Sequence, residues 1–171
     1  MRNRPSIVAT IAIILWGCSA LHPLVKADDQ PTTAAAPTGQ TLNDDSLKTM
    51  LDGLGFEPKK LSQGYLVVYK DDAWTYNVQL VISKDQSRIG MNANLGAIED
   101  ADNIPASKWL TLLQANGDID PSTLYVDKDK SKLYMHRTLD NRAITPAYVR
   151  QQLTSFCNNI KDTSDDWSFV K

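Results

Sequence analysis

The sequence predicts an α+β domain: an antiparallel five-stranded sheet with helices on one face, in the order α-β-β-β-α-β-β-α. Two observations predict it. Apolar residues recur at helical spacing in three segments, and they alternate with polar ones in the segments between. Runs of strands broken by single helices place the helices together on one side of an antiparallel sheet.

The elements follow in chain order. "TLNDDSLKTMLDGLGFEP" reads as a helix, with Asn43 or Asp44 as its cap and Asp45 in its first turn. Leu47, Met50, Leu51 and Leu54 share a face, and Gly55 then Pro58 end it. "SQGYLVVYK" is apolar and β-branched, and "KDDA" is a turn. "WTYNVQLVI" alternates, with Trp74, Tyr76, Val78, Leu80 and Ile82 on one side and Thr75, Asn77 and Gln79 on the other. After the turn "SKDQS", "RIGMNANLG" turns Ile89, Met91, Ala93 and Leu95 inward and Arg88, Asn92 and Asn94 outward.

"IPASKWLTLLQANGD" is the second helix. Pro105 suits its first turn, Trp109, Leu110, Leu112 and Leu113 form its apolar side, and Asn116-Gly117 marks its stop. "STLYVDKDKSKLYMHRTL" is a hairpin in which Leu124 and Val126 share a sense with Leu133, Met135 and Leu139. In the third helix Thr145 caps, Pro146 takes the first position, and Val149, Leu153, Phe156, Cys157 and Ile160 line one face.

Ahead of this domain, residues 1–27 read as an export signal. Arg2 and Arg4 precede the uncharged run "IVATIAIILW", about half the length that crosses a bilayer core. Two endings compete. "VKA" puts Val25 and Ala27 ahead of a cut, which gives a chain starting at Asp28; "LWGC" is a lipobox whose Cys18 would carry lipid, although Trp16 is large for that position. Cleavage after Ala27 is the preferred reading. Either ending predicts a location outside the cytoplasm, in the periplasm or cell envelope. Residues 28–41, rich in Ala, Thr, Pro and Gly, are expected to be a disordered linker, and residues 42–171 a single domain.

The whole chain holds 18 basic and 20 acidic residues. Residues 1–27 contain Arg2, Arg4 and Lys26 and no acid, so 15 basic residues remain against 20 acidic ones, a net charge of −5. An acidic domain has no electrostatic footprint for nucleic acid or an anionic membrane, so the only membrane contact expected is a lipid anchor at Cys18.

The chemistry-bearing residues are sparse. After residue 27 the chain has one histidine, His136, and one cysteine, Cys157, on opposite sides of the predicted sheet, so a nucleophile–base pair is not expected. One His and one Cys make no ordinary zinc site. "DKDKSK" starts like a calcium loop, but Lys132 and Thr138 stand where Gly and Glu are required. The Asp-Asp pairs fall in turns, caps and tails, and neither a phosphate loop nor G-x-S-x-G occurs. No catalytic residue, cofactor or metal is therefore expected.

Two longer stretches resemble a known family. "WLTLLQANGDIDPSTLYVD" and "KLYMHRTLDNRAITPAYVRQQLTSF" are similar to the YbjN-like family of bacterial sensory transduction regulators, and the element order is similar to the type III secretion chaperone-like fold. The likeness spans roughly residues 44–160, on structural and apolar positions. It implies protein or peptide interaction without catalysis, brings no catalytic residues, and allows a homodimer. The export signal departs from the family's usual pattern.

The candidate binding surface is the outward sheet face: Thr75, Asn77, Gln79, Arg88, Asn92, Asn94, Tyr134 and His136, with Tyr125 beside them. Neutral amides, hydroxyls and phenols give adaptable polar contacts, suited to a peptide or a glycan. The sequence reading is an exported, non-enzymatic, chaperone- or adaptor-like domain. The alternatives are a glycan binder or weak hydrolase using the same face, a dimer face, or an ordinary solvated face.

Overall fold

In the computed structural model, which describes residues 39–128 and 131–171, the sheet has six strands rather than five. The order along the chain is α1 (Asp44–Gly53), β1 (Lys59–Lys60), β2 (Tyr65–Asp71), β3 (Trp74–Ile82), β4 (Arg88–Ala97), a short 3-10 turn, α2 (Ala106–Asp118), β5 (Ser122–Asp127), β6 (Lys132–Asp140) and α3 (Pro146–Asp162). The added strand is β1. It pairs antiparallel with Tyr65 and Leu66 through a tight turn in which the Leu61 N–H donates to the Gly64 carbonyl. Two exposed lysines carry no apolar alternation, so this strand has no sequence signature. The export signal, Cys18 and nearly all of the proposed linker lie outside the described residues.

The strands lie side by side as β1-β2-β3-β4-β6-β5, every neighbour antiparallel. Register carries each inward residue onto the next: Val67 faces Val78, Val78 faces Ala93, Ala93 faces Met135, and Met135 faces Leu124. Leu47 and Leu51 of α1, Leu112 of α2, and Leu153 and Phe156 of α3 join these residues in one buried cluster. Burying a side chain of this size contributes about 1.5–3 kcal/mol.

The helix ends follow the local rules. The Asn43 side chain accepts from the Ser46 N–H while Ser46 answers the Asn43 N–H, a reciprocal cap on α1. Thr145 caps α3 and Pro146 begins it, as the sequence predicts. α2 departs from prediction in two respects. It runs through Asn116-Gly117 to Asp118. Leu110 and Leu113 stay 56% and 67% exposed, because this helix meets the core through Leu112 and Ala115, with Trp109 packed beside them.

Asn116 has another task. Its side chain accepts the Leu124 N–H at 2.6 Å and donates to the Leu124 carbonyl at 3.3 Å. A side-chain amide thus stands in for a neighbouring strand at the edge formed by β5, and such a cover discourages pairing with another chain.

Candidate functional site

The face of the sheet opposite the helices is bare. Strand alternation and register place all eight predicted residues on it, and the strand order decides which of them meet. Gln79 lies opposite Asn92, Asn92 opposite His136, and His136 opposite Thr123, forming one row across four strands. Asn94, Tyr134 and Tyr125 form the next row. Thr75 and Asn77 sit across from Lys70 and Val68 towards the β2 side. Arg88 is set apart at one end, opposite Asp140.

The centre of the face is a hydrogen-bonded cluster. His136 Nδ1 lies 2.8 Å from Asn92 Oδ1, and Nε2 lies 2.9 Å from the Thr138 hydroxyl. With Asn92 Oδ1 as acceptor, Nδ1 carries the proton and Thr138 donates to Nε2. Burial lowers the His136 pKa from its ordinary 6.5, opposed by a hydrogen-bonding interaction of the ring with the Met91 backbone, so the ring is neutral at pH 7. Beside it the Tyr125 and Tyr134 rings stack, with centroids 5.4 Å apart and planes 16° apart. Gly90, on the same face, leaves room for the imidazole: a Cβ there would lie 3.4 Å from His136 Cε1.

Several of the eight residues are already engaged. Gln79 Nε2 donates to the Gln63 carbonyl, and Asn94 Oδ1 accepts the Gly96 N–H. Thr75 and Asn77 are exposed. At the far end Asp140 is held in a fork by Arg142, which pulls its carboxyl down to about 2. A shallow hollow of about 320 Å³ lies there, lined in part by Arg88, Thr138 and Arg142.

Sequence reasoning overlooked Thr123, Thr138 and Val68, which lie on the same face. Thr138 was within reach, since period two from His136 lands on it. Val68 is an apolar residue 45% exposed on the bare side of β2.

These groups can stack and exchange hydrogen bonds. Both nitrogens of His136 are occupied, and Cys157 lies on the other side of the sheet, 1% exposed, with burial pushing its thiol up to about 12. Among the described residues no group of three or more His, Cys, Asp or Glu side chains could hold a metal ion.

The inward face holds an ionisable residue that sequence reasoning passed over. Arg137 is 1% exposed, with Nε donating to the Ser122 hydroxyl and Nη1 to the side-chain and backbone oxygens of Gln152. Its guanidinium lies 5.9 Å from the Phe156 ring centroid. The alternation of Leu133, Met135 and Leu139 predicts this inward position, because Arg137 falls on the same parity.

No protein-family model matches the sequence, and no curated protein matches it. Solved structures do. YbjN from E. coli aligns over 75% of this chain and 96% of its own, with a TM-score of 0.56 and 15% identity. The ExsC–ExsE complex aligns over 71% of this chain and 93% of the matched one, with a TM-score of 0.53 and 12% identity. An uncharacterised protein from Methanothermobacter thermautotrophicus aligns over 75% and 96%, with a TM-score of 0.50 and 11% identity. At this level of identity the likeness is one of fold: the chain folds like YbjN and like the matched chain of the ExsC–ExsE complex.

Proposed function

We propose that the chain is a non-catalytic, chaperone- or adaptor-like protein-interaction domain, exported to the cell envelope, which receives a protein segment on the bare sheet face. The observation that carries this reading is the uncovered face itself. It presents the His136–Asn92–Thr138 cluster, the Tyr125–Tyr134 stack and the exposed Val68 on one face, while the opposite face carries the helices and the buried core. Aromatic stacking surface and neutral hydrogen-bonding groups suit a peptide and require no ionised partner. The ExsC–ExsE structure, of the same fold, is a complex of two proteins, which supports the reading. A second copy of this chain is the alternative occupant.

The test is crosslinking in the producing cell, followed by purification and mass spectrometry, for wild type and for a variant with Asn77, Asn92 and His136 all replaced by Ala. A partner enriched with wild type and lost with the variant supports the reading. Equal recovery from both removes the face from the account. Intact mass of the mature chain tests the export proposal: a start at Asp28 supports cleavage after Ala27, a lipid-bearing start at Cys18 supports the anchor, and an uncut chain contradicts both.

A further inference from the structure

The sheet is not continuous from edge to edge. Pairing between β3 and β4 ends at Val78–Ala93, yet β3 begins at Trp74 and β4 runs on to Ala97. Over that stretch the two strands part. Thr75 is the residue whose backbone faces the gap: in the two-residue hairpin Asp71 and Trp74 bond each other, so Thr75 points its N–H and C=O away from β2. No strand among the described residues pairs with it there.

Farther along, the segment after α3 takes the place that β3 has left. Lys171 exchanges two backbone hydrogen bonds with Ala97, at 2.7 and 3.0 Å, on the edge of β4 turned away from β6. The approach is close enough to require glycine beside it. Gly96 has φ +144°, and a Cβ there would fall 2.5 Å from the Lys171 carbonyl oxygen. Trp109 packs edge-on against Phe169, and Lys171 pairs with Glu99, so the segment is docked along its length.

Between the last β3–β4 pair and this docked segment lies a slot of about 150 Å³. Its walls are Trp74, Tyr76, Leu95 and Trp167, and Asn77 and Asn94 of the bare face stand at its rim. Trp74 and Tyr76 stack with centroids 5.8 Å apart, and the Trp167 indole is held from behind by a hydrogen bond to Thr163. The Tyr76 hydroxyl is a buried side-chain polar atom with no hydrogen-bond partner. The lining combines the rings of Trp74, Tyr76 and Trp167 with the polar side chains of Thr75, Asn77 and Asn94, so the slot offers an inserted side chain both ring contacts and hydrogen-bonding groups.

We propose that this slot is an anchor site for an extended peptide, which lies along the open edge at Thr75 and inserts one aromatic side chain between Trp74 and Trp167. Lys171 shows the mode, since its backbone already exchanges two hydrogen bonds with Ala97 on the adjacent stretch of β4. The proposal rests on the reading of the chain as a protein-interaction domain and names a subsite for it, distinct from the His136 cluster.

The experiment is a titration of the full chain with N-acetyl-phenylalaninamide, followed by ¹H–¹⁵N NMR, with N-acetyl-alaninamide as the control. Saturable shifts at Thr75, Asn77, Leu95 and the Trp167 indole N–H, with a Kd on the order of millimolar, are expected from the aromatic amide alone. Absence of saturable shifts there, or equal shifts from the alanine amide, overturns the proposal. Trp167→Ala should weaken the binding at least about tenfold, and unchanged affinity overturns it too. The Asn92→Ala/His136→Ala variant should bind the probe like wild type. Loss of partner capture with that variant while probe binding persists separates the fate of this slot from that of the sheet face.

Discussion

His136 and Arg137 are neighbours on β6 and face opposite worlds. Arg137 points into the core, where neutral acceptors from β5 and α3 hold its charge. His136 points to the bare face, where Asn92 and Thr138 engage its ring nitrogens and partial burial lowers its pKa. One residue ties the helical layer to the sheet; the other belongs to a surface with no layer over it. The difference shows how a period-two strand separates stability from recognition at adjacent positions. Substitutions inward should damage folding, and substitutions outward should damage binding alone.

The largest expected effect lies inward. Phe156→Ala, at a fully buried site on α3, should cost about 3–5 kcal/mol, measured by urea denaturation. Arg137→Ala should cost about 2–3 kcal/mol, since it leaves the Gln152 side-chain oxygen without its Arg137 donor, removes one of the two donors to Ser122 and opens a cavity in the core. A triple alanine variant at Asn77, Asn92 and His136 should stay within about 1 kcal/mol of wild type. An outward loss as large as the inward ones would break the comparison.

The edge of the sheet sharpens it. Asn116→Leu removes both hydrogen bonds to Leu124 and should cost about 1–2 kcal/mol, with self-association detectable by light scattering as the β5 edge opens. A monodisperse variant of unchanged stability would show that the amide is not a clamp.

The smallest effect is a pH dependence. The folded His136 pKa is lowered, so the unfolded chain binds the proton more tightly. Its contribution to stability is fully present above the unfolded pKa near 6.5 and is lost as pH falls through the folded value. Wild type should lose stability below about pH 6.5, and His136→Asn should lose less over the same window. Asp85 and Asp140, both held at about 2, act in a separate window below about pH 4, so the two slopes can be told apart. Parallel curves for both proteins above pH 4 would contradict the assignment.

Much of the bare face was legible because alternation in β3, β4 and β6 is strict and register then follows from the turns. The contact between His136 and Asn92 was not legible, since it depends on β6 lying beside β4, a crossover that no local pattern encodes. The short β1 lacked a pattern to read. Asn116 looked like a helix stop because Asn-Gly ends helices in general, whereas here its side chain serves the sheet edge. Leu110 and Leu113 fit a helical stripe, but α2 turns Leu112, Ala115 and Trp109 to the core instead. The slot at Thr75 depends on where two strands part and where the chain's last residues dock. Both are tertiary facts.

The central claim is that a partner sits on the bare face, and the most direct measurement is positional photo-crosslinking. A photoreactive amino acid would be placed at Thr123, outward on β5, and in a second protein at Asn158, exposed on α3. The account predicts a specific protein adduct from position 123 and none from position 158. An adduct from position 158 alone would place the partner on the helical layer and contradict it.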